Sequence, residues 1–189
     1  VIYQTDGNGN LVPIDTLYGI QNTSYTHYED PENGPYQYSI AAFDSCYTVN
    51  IPPTYQTSAK ANPHTTILLK TNLNVCERKM YLNWSDYIGF NDIQYYQIFT
   101  KTNNGPWTNI AQTNNLSHSL TVNTGDEVIA VVQAVSDLGT TSFSNIDTLS
   151  FAGSTQPAMS FLNVVTIEQD HIKIVHQTSL GDGVEKVIL

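Results

Sequence analysis

Apolar and polar residues alternate along much of this chain, with the period of two that marks a β strand. In residues 79–85 the alternation places Met80, Leu82 and Trp84 on one face. A second inward row is formed by Val128, Ala130, Val132 and Ala134, in a segment that is apolar on both faces. Both rows predict strands that pack against a core.

Turn-forming residues separate the alternating segments. Gly, Asn, Asp and Pro cluster at residues 6–10, 29–35, 101–106, 123–126 and 179–183. These residues tolerate the backbone conformations that tight turns need, so the clusters predict turns between neighbouring strands. No segment shows the period of an amphipathic helix. The sequence therefore predicts an all-β fold.

The chain also repeats itself. Residues 1–16 align with 97–112 without a gap, and Asn8-Gly9 falls on Asn104-Gly105, as in two equivalent β-hairpins. Residues 80–84 resemble 172–176, and residues 38–44 resemble 130–137. One unit of roughly 90–100 residues recurs, which is the length of an immunoglobulin-like sandwich.

The middle unit resembles a fibronectin type III domain. The resemblance rests on Leu-Asn-Trp at 82–84, Tyr-Tyr-Gln-Ile-Phe at 95–99, the valine pattern at 128–134 and the Ser/Asn-rich segment 140–149. It implies a partial unit at 1–60 (strands C to G), a complete sandwich at 61–154 and a second partial unit at 155–189 (strands A to the start of C). Tyr36 stands at the family's corner-tyrosine position, where Val128 occupies the middle unit.

A narrower resemblance extends along nearly the whole chain. The segments 7–25, 38–46, 64–72 and 82–90 resemble repeats of large secreted Bacteroidota proteins, many of them gliding-motility-associated and exported by type IX secretion. This resemblance implies an extracellular or cell-surface location. Two Asp-Thr-Leu tripeptides match the O-glycosylation pattern of such proteins, which makes Thr16 and Thr148 candidate attachment points.

Charge and hydropathy narrow the classes of function. With 7 basic and 17 acidic residues the net charge is −10, which disfavours a nucleic-acid partner. No apolar run is long enough to predict a transmembrane helix. The first residues lack the features of a signal peptide, so we expect a fragment of a longer protein. We expect Cys46 and Cys76 to be separate thiols, because an extended array places them at opposite poles of successive units.

Candidate chemistry is sparse. Residues 6–10 resemble the start of a calcium loop, yet the equivalent segment 102–105 is a hairpin turn, and we favour the turn. The five histidines show no metal-ligand spacing. Glu29, Asp30, Glu32, Asp126 and Glu127 lie at turns where we expect no apolar pocket, and no Gly-x-Ser-x-Gly elbow is present. We therefore expect no enzyme and no cofactor.

Trp107 is the candidate ligand contact. It follows Pro106 at a hairpin turn, where its ring could stack on a sugar or fill a pocket of a partner protein. Its counterpart in the first unit is Leu11, which favours packing on the sheet instead.

Three functions remain open from the sequence. The leading hypothesis is a non-catalytic structural or adhesive spacer segment of a larger secreted or cell-surface protein, linked to gliding motility by the resemblance. The alternatives are a module that binds a glycan or a protein, and an accessory region of a multidomain hydrolase. Truncation explains the two partial units, and so does head-to-tail association, in which strands A–C of one chain complete strands C–G of the next.

Overall fold

The computed structural model describes residues 1–44, 57–153, 160–169 and 171–178. The described residues form β strands and no helix, which confirms the all-β prediction, and none of their segments is a helix able to span a membrane. The strands are β1 Ile2–Thr5, β2 Leu11–Asp15, β3 Gln37–Ile40, β4 His64–Thr65, β5 Leu69–Asn74, β6 Lys79–Trp84, β7 Ile93–Thr102, β8 Thr108–Thr113, β9 Ser117–Thr121, β10 Glu127–Ser136, β11 Thr141–Phe143, β12 Asp147–Ser150, β13 Ser160–Glu168 and β14 His171–Thr178.

These strands form antiparallel sheets. The first sheet has the order β2-β1-β3-β4, and the last is the β13–β14 hairpin. Between them lie a three-stranded sheet, β5-β6-β9, and a five-stranded sheet in which β11-β10-β7-β8 is extended by β12 beside β10. The predicted turn at 179–183, the segment 184–189 and Cys46 fall outside the described residues.

The two middle sheets pack face to face around one core. Both predicted inward rows are buried: Met80, Leu82 and Trp84 from β6, and Val128, Ala130, Val132 and Ala134 from β10. The rings of Trp84 and Tyr96 meet across the core with their centroids 5.8 Å apart. Burial of each large apolar side chain stabilises the folded state by about 1.5–3 kcal/mol. Together these side chains give the sandwich a hydrophobic core of its own.

Polar side chains close one edge of this sandwich. The Asn145 amide oxygen accepts the N–H of Leu69 at 2.7 Å, and its NH2 group donates to the Leu69 carbonyl at 3.0 Å. The Asp147 carboxylate accepts the N–H of Thr71 at 2.7 Å. Because β5 pairs with β6 on its other side only, these bonds satisfy the edge that would otherwise be open.

The first sheet repeats the geometry of the five-stranded sheet. Ile2 pairs with Asp15 and Tyr3 with Pro13, and a bulge lies between the two pairs. In β7 and β8, 96 residues later, Ile98 pairs with Ala111 and Phe99 with Asn109, again around a bulge. The predicted hairpin repeat is therefore confirmed down to its register.

The hydrogen bond predicted from the hydroxyl of Tyr36 back to the main chain is also confirmed. The hydroxyl donates to the carbonyl of Asp30 at 2.8 Å. Where Val128 replaces this tyrosine in the middle unit, the Asp126 carboxylate holds the turn by accepting the N–H of Asn123 at 2.8 Å.

Residues 57–66 join the first sheet to the sandwich. Tyr38 pairs with His64 and Gln37 with Thr65, and the Thr66 N–H donates to the Tyr36 carbonyl at 2.9 Å. The N–H of Thr65 donates to the carbonyl of Ile88, in the sandwich, at 2.8 Å. The predicted boundary at residue 61 thus lies within a continuous run of backbone pairing.

Candidate functional site

A groove of about 900 Å³ lies where the first sheet meets the sandwich. Its floor is the face of β1 and β3 that carries Ile2, Tyr38 and Ile40. Side chains from the loop after β2 form one wall, and residues 66–67 and 143–146 of the sandwich form the other. The groove is therefore built by both units and depends on the pairing of β4 with β3.

Aromatic and polar groups form the loop-side wall. The His27 ring Nδ1 lies 3.1 Å from the Tyr38 hydroxyl, and its Nε2 lies 3.8 Å from a carboxylate oxygen of Glu29. Tyr25 stacks on His27 with the ring centroids 6.2 Å apart. Burial, with the nearby charge of Glu29, raises the pKa of Tyr38 above its ordinary value. A phenol is protonated at neutral pH even at its ordinary pKa, so the Tyr38 hydroxyl is available as a donor.

The rest of the groove is apolar and open. Ile40 is 60% exposed, and at the opposite wall Phe143 and Ile146 are 56% and 54% exposed. Apolar side chains that line one groove and remain this accessible indicate a contact surface. The groove presents aromatic rings and a few hydroxyl groups, which suits a ligand that binds by shape complementarity and by burial of apolar surface.

One of the carboxylates considered from the sequence lies at the groove. Glu29 lines it together with Tyr25 and Ile40. Asp30 has a structural role, since its carboxylate accepts the backbone N–H of Glu32 at 3.0 Å.

Residues 6–10 form a turn, as favoured from the sequence. The Asp6 carboxylate accepts the N–H groups of Asn8 at 2.9 Å and Asn10 at 2.8 Å. The bond from Asn10, the largest effect, lowers the pKa of Asp6 below its ordinary value. Within the described ranges, no three His, Cys, Asp or Glu side chains gather in a way that could hold a metal ion.

The candidate ligand contact Trp107 and the candidate glycosylation sites Thr16 and Thr148 do not line the groove. Trp107 is 46% exposed beside β8, and its counterpart Leu11 is half-buried in β2. Thr148 is exposed in β12, and Thr16 is half-buried just after β2. In both, the backbone N–H donates to the preceding aspartate, at 2.6 Å for Thr16 and 2.8 Å for Thr148. Ligand contact by Trp107 and glycosylation of the threonines stay predictions. Cys76 is exposed and free.

Sequence reasoning missed the groove-lining residues Tyr25, His27, Tyr38 and Ile40. The signal that could have found them is the repeat itself. Ile40 stands 92 residues before Val132, a fully buried core residue, so its exposure marks a sheet face without the cover that the repeat provides elsewhere.

No protein-family model matches this chain, and no curated protein does. Solved structures that are similar to part of it include two pectate lyases. Pectate lyase PelI from Erwinia chrysanthemi, in complex with tetragalacturonic acid, is 19% identical over 44% of this chain and 28% of its own, with a TM-score of 0.39. Pectate lyase Pel3 from Pectobacterium carotovorum is 17% identical over 50% of this chain and 30% of its own, with a TM-score of 0.38.

These neighbours contradict the expectation that this chain is not an enzyme. Both are lyases, so that expectation, drawn from missing active-site motifs, is wrong. The chain spans less than a third of either structure. At these TM-scores we transfer neither a reaction nor a site from them.

Proposed function

We propose that this chain is a structural and adhesive segment of a larger secreted or cell-surface protein, built from tandem fibronectin type III-like units at 1–60, 61–154 and 155–189. The supporting observation is the junction. Residues 57–66 pair along β3 and then bond to the Ile88 carbonyl of the sandwich, so neighbouring units are held by backbone hydrogen bonds. A spacer needs such coupling to keep its units in a fixed relation.

Strand order supports the type of unit. In the sandwich, β5-β6-β9 faces β8-β7-β10 with β11 and β12, an arrangement equivalent to strands A-B-E facing C′-C-F-G. The corner bond of Tyr36 to Asp30 is a second trait of this family. The location at a cell surface and a role in gliding motility are proposed from the resemblance to secreted Bacteroidota repeats. By adhesion we mean binding to other molecules, including other copies of this chain.

Segment exchange in the native parent protein tests this function. Residues 61–153 are deleted in one strain and replaced in another by an unrelated sandwich of similar length, and surface display and cell attachment are measured. A spacer predicts that deletion reduces attachment and that replacement restores it. Attachment lost in both strains would instead assign binding to the segment's own surface, and intact cells that show none of the protein outside would contradict the proposed location.

A further inference from the structure

The chain's own sandwich shows what normally covers the face of the first sheet. In the first sheet, Ile2 of β1 pairs with Ile40 of β3. The equivalent residues of the sandwich are Ile98, 96 residues after Ile2, and Val132, 92 residues after Ile40, and they pair in the same way. Groove residues Ile2, Tyr36, Tyr38 and Ile40 thus correspond to Ile98, Val128, Ala130 and Val132, each at most 2% exposed. In the sandwich this face is covered by the sheet that contains β5 and β6.

The β13–β14 hairpin carries the complementary surface. Val165 pairs with Ile174 and Ile167 with Ile172, so these four apolar side chains share one face. They are 47–78% exposed. Ile172 and Ile174 stand 92 residues after Met80 and Leu82, which are completely buried where β6 covers its own sheet.

The opposite face of the hairpin is polar next to the turn that joins β13 to β14. Lys173 and Glu168 form an ion pair of 2.7 Å there, and Thr166 pairs directly with Lys173. The face with Val165, Ile167, Ile172 and Ile174 is therefore the more apolar of the two, since the other face combines this ion pair with one apolar pair, Val164 and Val175. A two-stranded hairpin alone is marginally stable in water, so docking of this face stabilises it.

We propose that the β13–β14 hairpin of a second copy of this chain docks its apolar face in the groove, head to tail, and completes a second sandwich there. This deepens the adhesive part of the proposed function and rests on it for its biological role. The interface is heterologous, because groove and hairpin are different surfaces, and each copy keeps one of each free for further association.

Two single substitutions give the test. Ile40→Asp places a charge in the groove, and Ile174→Asp places one on the apolar face of the hairpin. Matched controls are Ile20→Asp, at an isoleucine 93% exposed outside the groove, and Val164→Asp, on the other face of the hairpin and 47% exposed like Ile174. Circular dichroism checks that each variant keeps its strand content.

Light scattering after size exclusion measures the mass of the purified full chain, 21.0 kDa for one copy. We expect the wild type and both controls to exceed this mass as concentration rises. Ile40→Asp and Ile174→Asp are each expected to weaken association at least about tenfold, since a charge is buried unpaired. Mixed in equal amounts they are expected to form a two-chain complex, because one retains the hairpin and the other the groove.

A single-copy mass for the wild type at every concentration would overturn the inference, and so would a mixture that stays as single chains. Equal loss of association in the matched controls would overturn it too, since the groove and hairpin would not be the specific surfaces. None of these results bears on surface display or on segment exchange in cells, so failure here leaves the spacer function standing.

Discussion

Replacing Asn145 by alanine tests whether side-chain bonds to an edge strand hold the sandwich closed. Asn145 is 8% exposed and satisfies both the N–H and the carbonyl of Leu69, itself 1% exposed. Asn145→Ala leaves two buried backbone groups without partners. Each such group costs about 1–3 kcal/mol, so we expect a loss of about 2–6 kcal/mol in the free energy of unfolding.

A substitution at the neighbouring Asp147 gives a comparison at the same edge of the sandwich. The Asp147 carboxylate accepts one N–H, from the half-buried Thr71, so Asp147→Ala is expected to cost less, about 1–2 kcal/mol. Asn109→Ala, at an exposed position of β8, is the control and is expected to stay within about 0.5 kcal/mol of wild type.

Urea unfolding followed by tryptophan fluorescence measures these differences. A Trp107→Phe background leaves Trp84, buried in the sandwich core, as the only tryptophan reporter. For a domain of this size the expected loss lowers Tm by roughly 10–50 °C. An Asn145→Ala variant within about 0.5 kcal/mol of wild type, or one less affected than Asp147→Ala, would refute the reasoning.

Three further changes test other parts of the structure. Gly89 has φ +131°, and a Cβ added there would meet the ring of His64. Gly89→Ala is therefore expected to lower the free energy of unfolding by about 1–3 kcal/mol and to speed amide hydrogen exchange at Thr65. Unchanged exchange at Thr65 would contradict this. Burial, then the hydrogen bond to Asp86, raises the pKa of Tyr96 above its ordinary 10. Stability from the neutral phenol is therefore complete below pH 10 and falls as pH rises through the higher folded pKa, a loss that Tyr96→Phe should lack in alkaline unfolding curves. For Trp107, we expect Trp107→Ala to weaken glycan or partner binding at least about tenfold and Trp107→Phe to retain most of it, as measured on a glycan array and by pull-down. Binding by Trp107→Ala equal to that of the wild type would show that the ring makes no contact.

The strands, and the face of each strand that points into the core, could be predicted because both follow from local sequence patterns. Period-two alternation placed Met80 and Leu82 inside, and the ungapped match of residues 1–16 with 97–112 predicted two equivalent hairpins. The bulge that both hairpins contain was found only in the structure.

The groove and the junction could not be predicted in the same way. The loop that carries Tyr25 and His27 has no period, and its contacts with β3 and the sandwich are non-local. Asn145 lies in a segment that reads as an ordinary Ser/Asn-rich strand, and only the folded chain shows that its amide reaches Leu69, 76 residues away. The pairing of His64 with Tyr38 likewise joins segments that the repeat pattern treats separately.

The pairing of residues 57–66 along β3 has a mechanical consequence. Antiparallel backbone hydrogen bonds lie perpendicular to their strands. A pull that draws the sandwich away from the first sheet acts on residue 66, at the end of this run, and along the strand's own direction. Such a load shears several hydrogen bonds at once instead of peeling them one after another. Tension would therefore be resisted at the connection between units as well as within each unit.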